Sequence, residues 1–260
     1  MYKFRDRIFR VTAATETPKP NLLELLWRAG PEASRGPRKG LTVDAVVAAA
    51  VDLADREGLE AVTVRRLAQE LGRAPMTLYT YVPGKTELVA LMLDSLFAAM
   101  DRTPVDGLPW RERLAAVARD AYALYRDHPW AAAASPSRPP LGPGQCAKYE
   151  HELRALEGLG LGDVEMDDAL AHLLGFVRIA AQDAAQADAE RAASAMSDHE
   201  WWEANGPLLA KVLDPAAFPT AVRVGQAAGE AHDAAYDAEH AFRFGLDRTL
   251  DGLAPLIERP

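Results

Sequence analysis

The residue types best suited to recognition chemistry lie in a short polar and aromatic stretch, residues 75–81, which reads Pro-Met-Thr-Leu-Tyr-Thr-Tyr. Its hydroxyl groups can hydrogen-bond phosphate oxygens, and its methionine, proline and tyrosine rings can pack on base edges and thymine methyl groups. In a helix, Leu78 and the later Val82 lie four residues apart on one side, and the other side chains fall on or beside the outer side. The pattern predicts a surface that enters the major groove of DNA.

Cations flank this stretch on both sides. Arg65 lies near the start of the preceding helix and Lys85 at the start of the following one, so both are spaced to bind phosphates. Arg73 is the nearest candidate for a guanine contact, although it could equally bind a phosphate. A further basic segment, residues 35–39, is either an arm that follows phosphates or enters the minor groove, or a solvated linker. The predicted DNA contacts are Arg35, Arg38, Lys39, Arg65, Arg73, Pro75, Met76, Thr77, Tyr79, Thr80, Tyr81 and Lys85.

Two short helices must position these side chains. Thr63 is a good N-cap for the first, and apolar residues then recur at helical spacing up to Leu71. Gly72 can supply the left-handed residue that ends this helix. The second helix starts at Pro75, which suits a first helical position, and stops at Pro83-Gly84. So tight a turn between two helices predicts a helix-turn-helix.

The pattern TVRRLAQELG-x-x-x-x-TLY-x-YV-x-x-K-x-EL, read from Thr63 without a gap, resembles the DNA-binding domain of the tetracycline-repressor (TetR/AcrR) family of bacterial regulators. One departure is Ala74, where family members often have a capping Ser or Thr; it costs on the order of 1 kcal/mol of local helix stability. A helix-turn-helix pattern alone would also fit a packing corner, in which Tyr79 and Tyr81 are half-buried. The resemblance covers most of residues 41–257, densely at the start and loosely after Pro104.

Length and composition favour two linked helical domains. The chain has 260 residues, of which 49% are hydrophobic, and its Ala-rich runs contain few β-branched or aromatic strings. We therefore predict an all-α fold, in which the resemblance implies an N-terminal three-helix helix-turn-helix domain and a larger C-terminal ligand-binding and dimerisation domain. The expected boundaries are 1–40 for an extension with a basic arm, 41–86 for the DNA-binding domain and 87–260 for the second domain, with 87–103 as the connecting helix.

The charge is divided unevenly between these parts. Residues 1–100 carry 14 Lys and Arg against 12 Asp and Glu, a net +2, whereas residues 101–260 carry 15 against 26, a net −11. The acidic second part keeps the protein soluble and repels stray nucleic acid. The single Cys146 fits a reducing cytoplasm, and with no apolar run long enough to span a membrane and no signal peptide, we expect a cytoplasmic protein without a membrane partner.

Periodicity predicts where the helices lie. The first clear helix is capped by Thr42 and ended by Gly58, and residues 85–100 form a lever between the two domains. One or two helical turns are possible over 22–27, and residues 214–235, with Pro215, Pro219, Gly225 and Gly229, are expected to be mobile. The remaining helices are predicted over 110–128, 145–158, 167–193, 198–213 and 237–257.

The family resemblance implies an effector cavity and a dimer in the second domain. Aromatic walls suit a flat, mostly apolar molecule, although most of these aromatics could instead be ordinary core. The predicted effector contacts are Tyr122, Tyr125, Trp130, Tyr149, Phe176, Trp201 and Trp202. The long helix and the last helix each have an apolar side. These two sides from each of two subunits suggest a four-helix interface, or else they pack inside one subunit. The predicted interface residues are Leu174, Val177, Ala181, Phe242, Leu246, Leu250 and Leu253.

These features together predict a ligand-responsive transcriptional regulator. The expected form is a repressor that binds a palindromic double-stranded DNA operator as a homodimer and is released by a small-molecule effector. An activator of the same family, and a ligand-binding helical module without DNA binding, are the alternatives. No nucleophile–base pair or phosphate loop argues for an enzyme, and His199 with Glu203 lacks the third partner that a metal site needs. We therefore expect no cofactor.

Overall fold

The computed structural model describes residues 21–28, 41–134, 139–232 and 236–259, and the regular elements within them are all helical. The predicted basic contacts Arg35, Arg38 and Lys39 lie outside these ranges. The twelve α-helices are α1 Leu22–Leu26, α2 Val43–Glu57, α3 Val64–Glu70, α4 Pro75–Leu78, α5 Lys85–Ala99, α6 Trp110–Asp127, α7 Pro129–Ala134, α8 Pro143–Arg154, α9 Asp163–Ser194, α10 Asp198–Val212, α11 Pro219–His232 and α12 Ala238–Ile257; a single 3-10 turn covers Leu59–Ala61.

The first half of the chain packs α2, α3, α4 and α5 around a small core. The Thr42 hydroxyl accepts a hydrogen bond from the Ala45 N–H at 3.1 Å and so caps α2, and Gly58, at φ +83°, ends it. One side of α2 is apolar and fully enclosed, as its helical periodicity predicts. Its buried residues are Val46, Val47, Ala50, Leu53 and Ala54.

Helix α5 connects this half to the second one. It packs against both α2 and α8. Gly142 and Gly144 allow this close approach, because a Cβ on either would overlap with Asp94 of α5. The Asp94 side chain accepts a hydrogen bond from the Gln145 N–H at 2.8 Å, which ties the first turn of α8 to α5.

The N-terminal helix α1 reaches both halves. Leu26 is buried, and α1 packs against α5. The Trp27 indole N–H donates to the Leu141 carbonyl at 2.8 Å, in the segment that leads into α8, while Arg28 pairs with Asp44 at the start of α2. This segment therefore joins α2, α5 and the approach to α8.

The core of the second half lies between α6, α9 and α12. Buried side chains come from all three helices, among them Leu114, Val117, Leu173, Val177, Phe242 and Leu246. The long helix α9 forms the centre of this packing, because it contacts α6, α7 and α12.

The structure corrects several sequence expectations. Residues 214–235 were expected to be mobile, but Pro219–His232 forms α11: Pro219 takes a first helical position, where its missing N–H costs nothing, and Gly225 and Gly229 are accommodated inside the helix. Helix α7 and the 3-10 turn are additional, and α4 ends at Leu78, before the predicted stop at Pro83-Gly84. Within the described residues, α10 and α11 bury no side chain, and no helix is long and apolar enough to cross a membrane.

Candidate nucleic-acid interface

The corner between α3 and α4 is fixed by backbone hydrogen bonds. The Thr63 hydroxyl accepts from the Arg66 N–H at 3.2 Å and caps α3. At the other end Gly72 has φ +60°, which lets the Arg73 N–H reach back to the Ala68 carbonyl at 2.9 Å. This is a Schellman-type helix end, and it turns the chain sharply into α4.

One side of helix α4 is anchored in the core, and the other side is exposed to solvent. Leu78 and Val82 are buried, whereas Met76 is 73% exposed and Tyr79 48% exposed. The helix starts at Pro75 without a side-chain cap from Ala74, as the sequence predicts. Of the other predicted contacts, Pro75 and Thr80 are exposed, whereas Thr77 is half-buried and Tyr81 packs partly against the core. The outer side of α4 therefore presents an apolar and hydroxyl-bearing ridge.

The charges around this ridge fall into two groups. Arg56 and Arg66 form ion pairs with Glu57 and Glu70, and these contacts hold α2 against α3. The hydrogen bond from the Arg66 guanidinium lowers the pKa of the Glu57 carboxyl and raises the pKa of Arg66 itself.

The second group consists of cations that remain available. Arg65 and Arg73 are exposed and form no ion pair with the residues that the structure describes, and Lys85 has only a 3.7 Å contact with the exposed Glu60. These three flank α4 in sequence. Together with the ridge they can neutralise phosphates while α4 touches base edges.

The predicted effector contacts do not form one group. Tyr122 and Phe176 each stack on Phe242, with ring centroids 3.9 and 6.0 Å away. Tyr125 is buried in the core, and the Tyr149 hydroxyl donates at 2.8 Å to Asp167 on an exposed surface. The hydrogen bond to Asp167 raises the pKa of Tyr149. These residues therefore belong to internal packing or to the surface, and not to a common cavity.

Trp201 and Trp202 lie instead at two open grooves of about 380 Å³ each. Their rings meet edge to face at 5.2 Å. One groove runs along α10 and is lined by both tryptophans with Asn205, Leu208, Leu209 and Val212. The other lies between the end of α9, the start of α10 and Tyr236, and is lined by Ala187, Glu190, Arg191, Ser194, Met196, Ser197, Asp198, Trp201 and Tyr236.

Sequence reasoning missed most residues of this second groove. Its polar members Arg191 and Asp198 pair with each other at 3.2 Å, and Tyr236 comes from a separate segment just before α12. Helical periodicity identifies the buried side of one helix but carries no information on which distant segment lies beside it. Across the described ranges no three His, Cys, Asp or Glu side chains are placed to hold one metal ion.

The predicted dimer seam needs correction. Six of its seven residues, Val177, Ala181, Phe242, Leu246, Leu250 and Leu253, are buried inside the single chain, and Leu174 is partly buried against the same core. A side chain already enclosed by its own chain has almost no surface left for a partner. These residues therefore form the intramolecular contact of α9 and α12, which is the alternative that the sequence left open.

A polar junction between the two halves was also missed. Trp130, predicted as an effector contact, is 6% exposed, and its indole N–H donates to Asp55 Oδ1 at 2.7 Å; His128 Nδ1 lies 2.8 Å from the same oxygen. A signal was present in the sequence: Asp55 lies in the last turn of a helix, where the macrodipole disfavours a carboxylate. A carboxylate in that place indicates a partner from elsewhere in the fold.

Residues 46–92 match the profile of bacterial regulatory proteins of the tetR family, and residues 103–257 match the tetracyclin repressor-like C-terminal domain. The chain is 43% identical over 238 residues to the HTH-type transcriptional repressor DrrR1 of Streptomyces coeruleorubidus, which covers 90% of this chain and 85% of that protein.

Two solved structures are also similar. ActR from Streptomyces coelicolor, in complex with actinorhodin, superimposes with a TM-score of 0.66 at 27% identity, covering 82% of this chain and 97% of ActR. BioQ with its double-stranded DNA operator superimposes with a TM-score of 0.52 at 28% identity, covering 58% of this chain and 90% of BioQ.

Proposed function

Since the chain belongs to the tetR family of bacterial regulatory proteins, we propose that it is a repressor that binds a palindromic operator as a homodimer and leaves it when a small, largely apolar effector binds. Membership of this family makes the chain a helix-turn-helix transcriptional regulator and not an enzyme. The similarity to the repressor DrrR1 favours repression over activation. A protein that acts on bacterial DNA works in the cytoplasm.

The observation that carries the proposal is the exposure of α4. Met76 and Tyr79 project outward although both are large and apolar, while Leu78 and Val82 hold the same turn in the core. Exposed apolar residues of this size carry a solvation cost that a binding partner removes. The cations Arg65, Arg73 and Lys85 around them fit a polyanion, and thymine methyl groups fit the methionine and the tyrosine ring.

A homodimer is proposed through the outward sides of α9 and α12. Ile179, between buried Val177 and Ala181, is 53% exposed, and Phe244, between buried Phe242 and Leu246, is 55% exposed. These two side chains point away from the internal seam of the chain. Binding to two adjacent half-sites requires the two α4 helices of such a dimer to lie about one DNA turn apart, roughly 34–36 Å. The two-fold symmetry of such a dimer matches a palindromic operator.

The effector is proposed to bind at the groove between α9, α10 and Tyr236. Trp201, Met196 and Tyr236 supply apolar and aromatic walls, and Arg191 and Asp198 supply polar groups that can orient a ligand. ActR, which is similar over most of its length, was solved with actinorhodin. A small molecule with flat apolar surface and a few polar groups is the class that this lining suits.

Footprinting and gel-shift titration of the DNA upstream of the gene test this function. We expect one protected palindrome, with binding that weakens steeply as salt rises. Tyr79→Ala should lower operator affinity about tenfold or more, because it removes an exposed ring from the centre of the ridge. Tyr149→Ala is the matched control, since Tyr149 is an exposed tyrosine on α8, and it should leave operator affinity unchanged. Equal affinity of the Tyr79→Ala variant and wild type, or no specific band, would refute the proposal.

A further inference from the structure

We propose that the Asp55–His128–Trp130 junction is a positioning device: it fixes the orientation of the DNA-binding helices relative to the second half of each subunit. The inference rests on the proposed function, because the orientation matters only for a protein that places two recognition helices on one operator. It goes beyond that function in naming the residues that hold the two halves at a set angle.

The junction is a three-group hydrogen-bond arrangement centred on one carboxylate oxygen. Asp55 Oδ1 lies 2.7 Å from Trp130 Nε1 and 2.8 Å from His128 Nδ1. An indole N–H can only donate and an ionised carboxylate can only accept, so Asp55 accepts from Trp130. The same logic places a proton on His128 Nδ1. Two donors on one oxygen define the direction of the carboxylate more tightly than one would.

The positions of the three residues explain why this contact transmits orientation. Asp55 lies in the last turn of α2, directly after the buried Leu53 and Ala54, which belong to the core of the DNA-binding half. His128 lies at the break between α6 and α7, and Trp130 in the first turn of α7. A rigid-body movement of α2 therefore cannot occur without stretching these bonds or moving the α6–α7 break with it.

The connection continues to the helix that we propose for the dimer interface. The Gln182 side-chain amide of α9 donates to the Ala132 carbonyl of α7 at 2.8 Å. Gln182 lies on α9 close to the exposed Ile179. A physical path thus runs from the outer side of α9 through α7 and Trp130 to Asp55, and so to the helices that carry the ridge. Each step as far as Asp55 is a direct hydrogen bond or a short stretch of helix.

A purely structural role is the alternative, and the two differ in what they do to DNA binding. Loss of stability would lower the active fraction, so affinity for one operator half and for the whole operator would fall together. Loss of orientation would leave each DNA-binding half intact, and would remove only the advantage of binding two half-sites at a fixed spacing. The ratio of whole-operator affinity to half-site affinity therefore separates the roles.

The experiment uses the full-length chain, its footprinted operator and a duplex with one half of it. His128→Ala and Asp55→Ala should keep half-site affinity within about twofold and lose about tenfold in the ratio, because each removes at least one of the hydrogen bonds at Asp55 Oδ1. His128→Asn should restore the ratio, because the asparagine amide can donate near the former Nδ1 position, whereas His128→Gln should not. Asp52→Asn is the control: Asp52 lies on the same helix but pairs with Arg56. An unchanged ratio in His128→Ala, or an equal fall in both affinities, would overturn the proposal.

A second measurement does not depend on DNA. Spin labels on the exposed native Cys146 of α8 and on Gln69→Cys of α3, diluted into unlabelled chains, report the distance between the two halves. We expect one narrow distance distribution in the doubly labelled chain, a broader one after His128→Ala, and a narrow one again after His128→Asn. An equally narrow distribution in His128→Ala would overturn the junction's role. If wild type binds no operator but the labels respond as expected, the proposed function fails, and the junction still fixes the angle between the two halves.

Discussion

At the scale of single residues, one side chain of α4 stabilises the fold and a near neighbour is exposed for binding. Leu78 is 2% exposed and Met76 is 73% exposed, although they are two positions apart on one short helix. Leu78→Ala should therefore lower the free energy of unfolding by about 2–5 kcal/mol, because it leaves a cavity under the helix. Met76→Ala should change that free energy by less than about 0.5 kcal/mol and should weaken operator binding instead.

Urea denaturation followed by circular dichroism measures the first quantity, and gel-shift titration of the folded variants measures the second. The two substitutions are matched in helix and in size of side chain, so they serve as controls for each other. If Met76→Ala lost as much stability as Leu78→Ala, Met76 would be packed in the core, and the outer side of α4 would not be free to contact DNA.

At the scale of elements, the α5–α8 contact contains an ion pair taken out of water. Lys148 and Glu152 are 5% and 3% exposed and pair directly, and the Lys148 ammonium lies 5.5 Å from the centre of the Phe97 ring of α5. Burial raises the pKa of Glu152 despite this partner. Lys148→Met should thus lower the free energy of unfolding by about 3–5 kcal/mol, because a buried carboxylate loses its counter-charge.

The double variant Lys148→Met, Glu152→Leu should recover most of that loss or exceed wild type, since well-packed apolar residues often replace a buried pair without cost. In the single variant Lys148→Met, the loss of unfolding free energy relative to wild type should become smaller as the pH falls from 8 to 5. The reason is that a raised folded-state pKa favours uptake of a proton, which removes the unpaired charge at low pH. Urea denaturation at both pH values checks this; a loss that grows towards pH 5 would contradict it.

Sequence reasoning was strongest for elements with explicit start and stop residues. Thr42, Thr63, Gly58 and Gly72 define α2 and α3 in the way their chemistry predicts, because capping is a local interaction. It failed for α11, whose proline and glycines are loop signals that the surrounding helix overrides. For the buried side of α12 it favoured a partner subunit over packing inside one chain. Periodicity shows that a side is covered, but only the folded chain shows by what.

At the scale of the whole molecule, each half has its own charge and task. The cations Arg65, Arg73 and Lys85 lie in the first half, whereas residues 101–260 carry the net −11 that repels DNA elsewhere. In the proposed operator complex, two copies of the first half bind one DNA duplex. The proposed dimer interface is the outward side of α9 and α12. Substitutions there should therefore abolish function without disturbing the fold of the single chain.

Phe244→Asp tests this surface, because Phe244 is 55% exposed, with the Arg248 guanidinium 5.2 Å from the centre of its ring. A carboxylate at the centre of an apolar interface should weaken the dimer by about 3 kcal/mol, roughly a hundredfold in the dissociation constant. Sedimentation velocity over a range of concentrations measures the change. Met76→Asp is the control, since it adds the same charge at an exposed apolar residue of the other half and should leave the dimer intact. The Phe244→Asp variant should also no longer prefer the whole operator over one half of it. A dimer of wild-type strength in this variant would exclude the outward side of α12 from the interface.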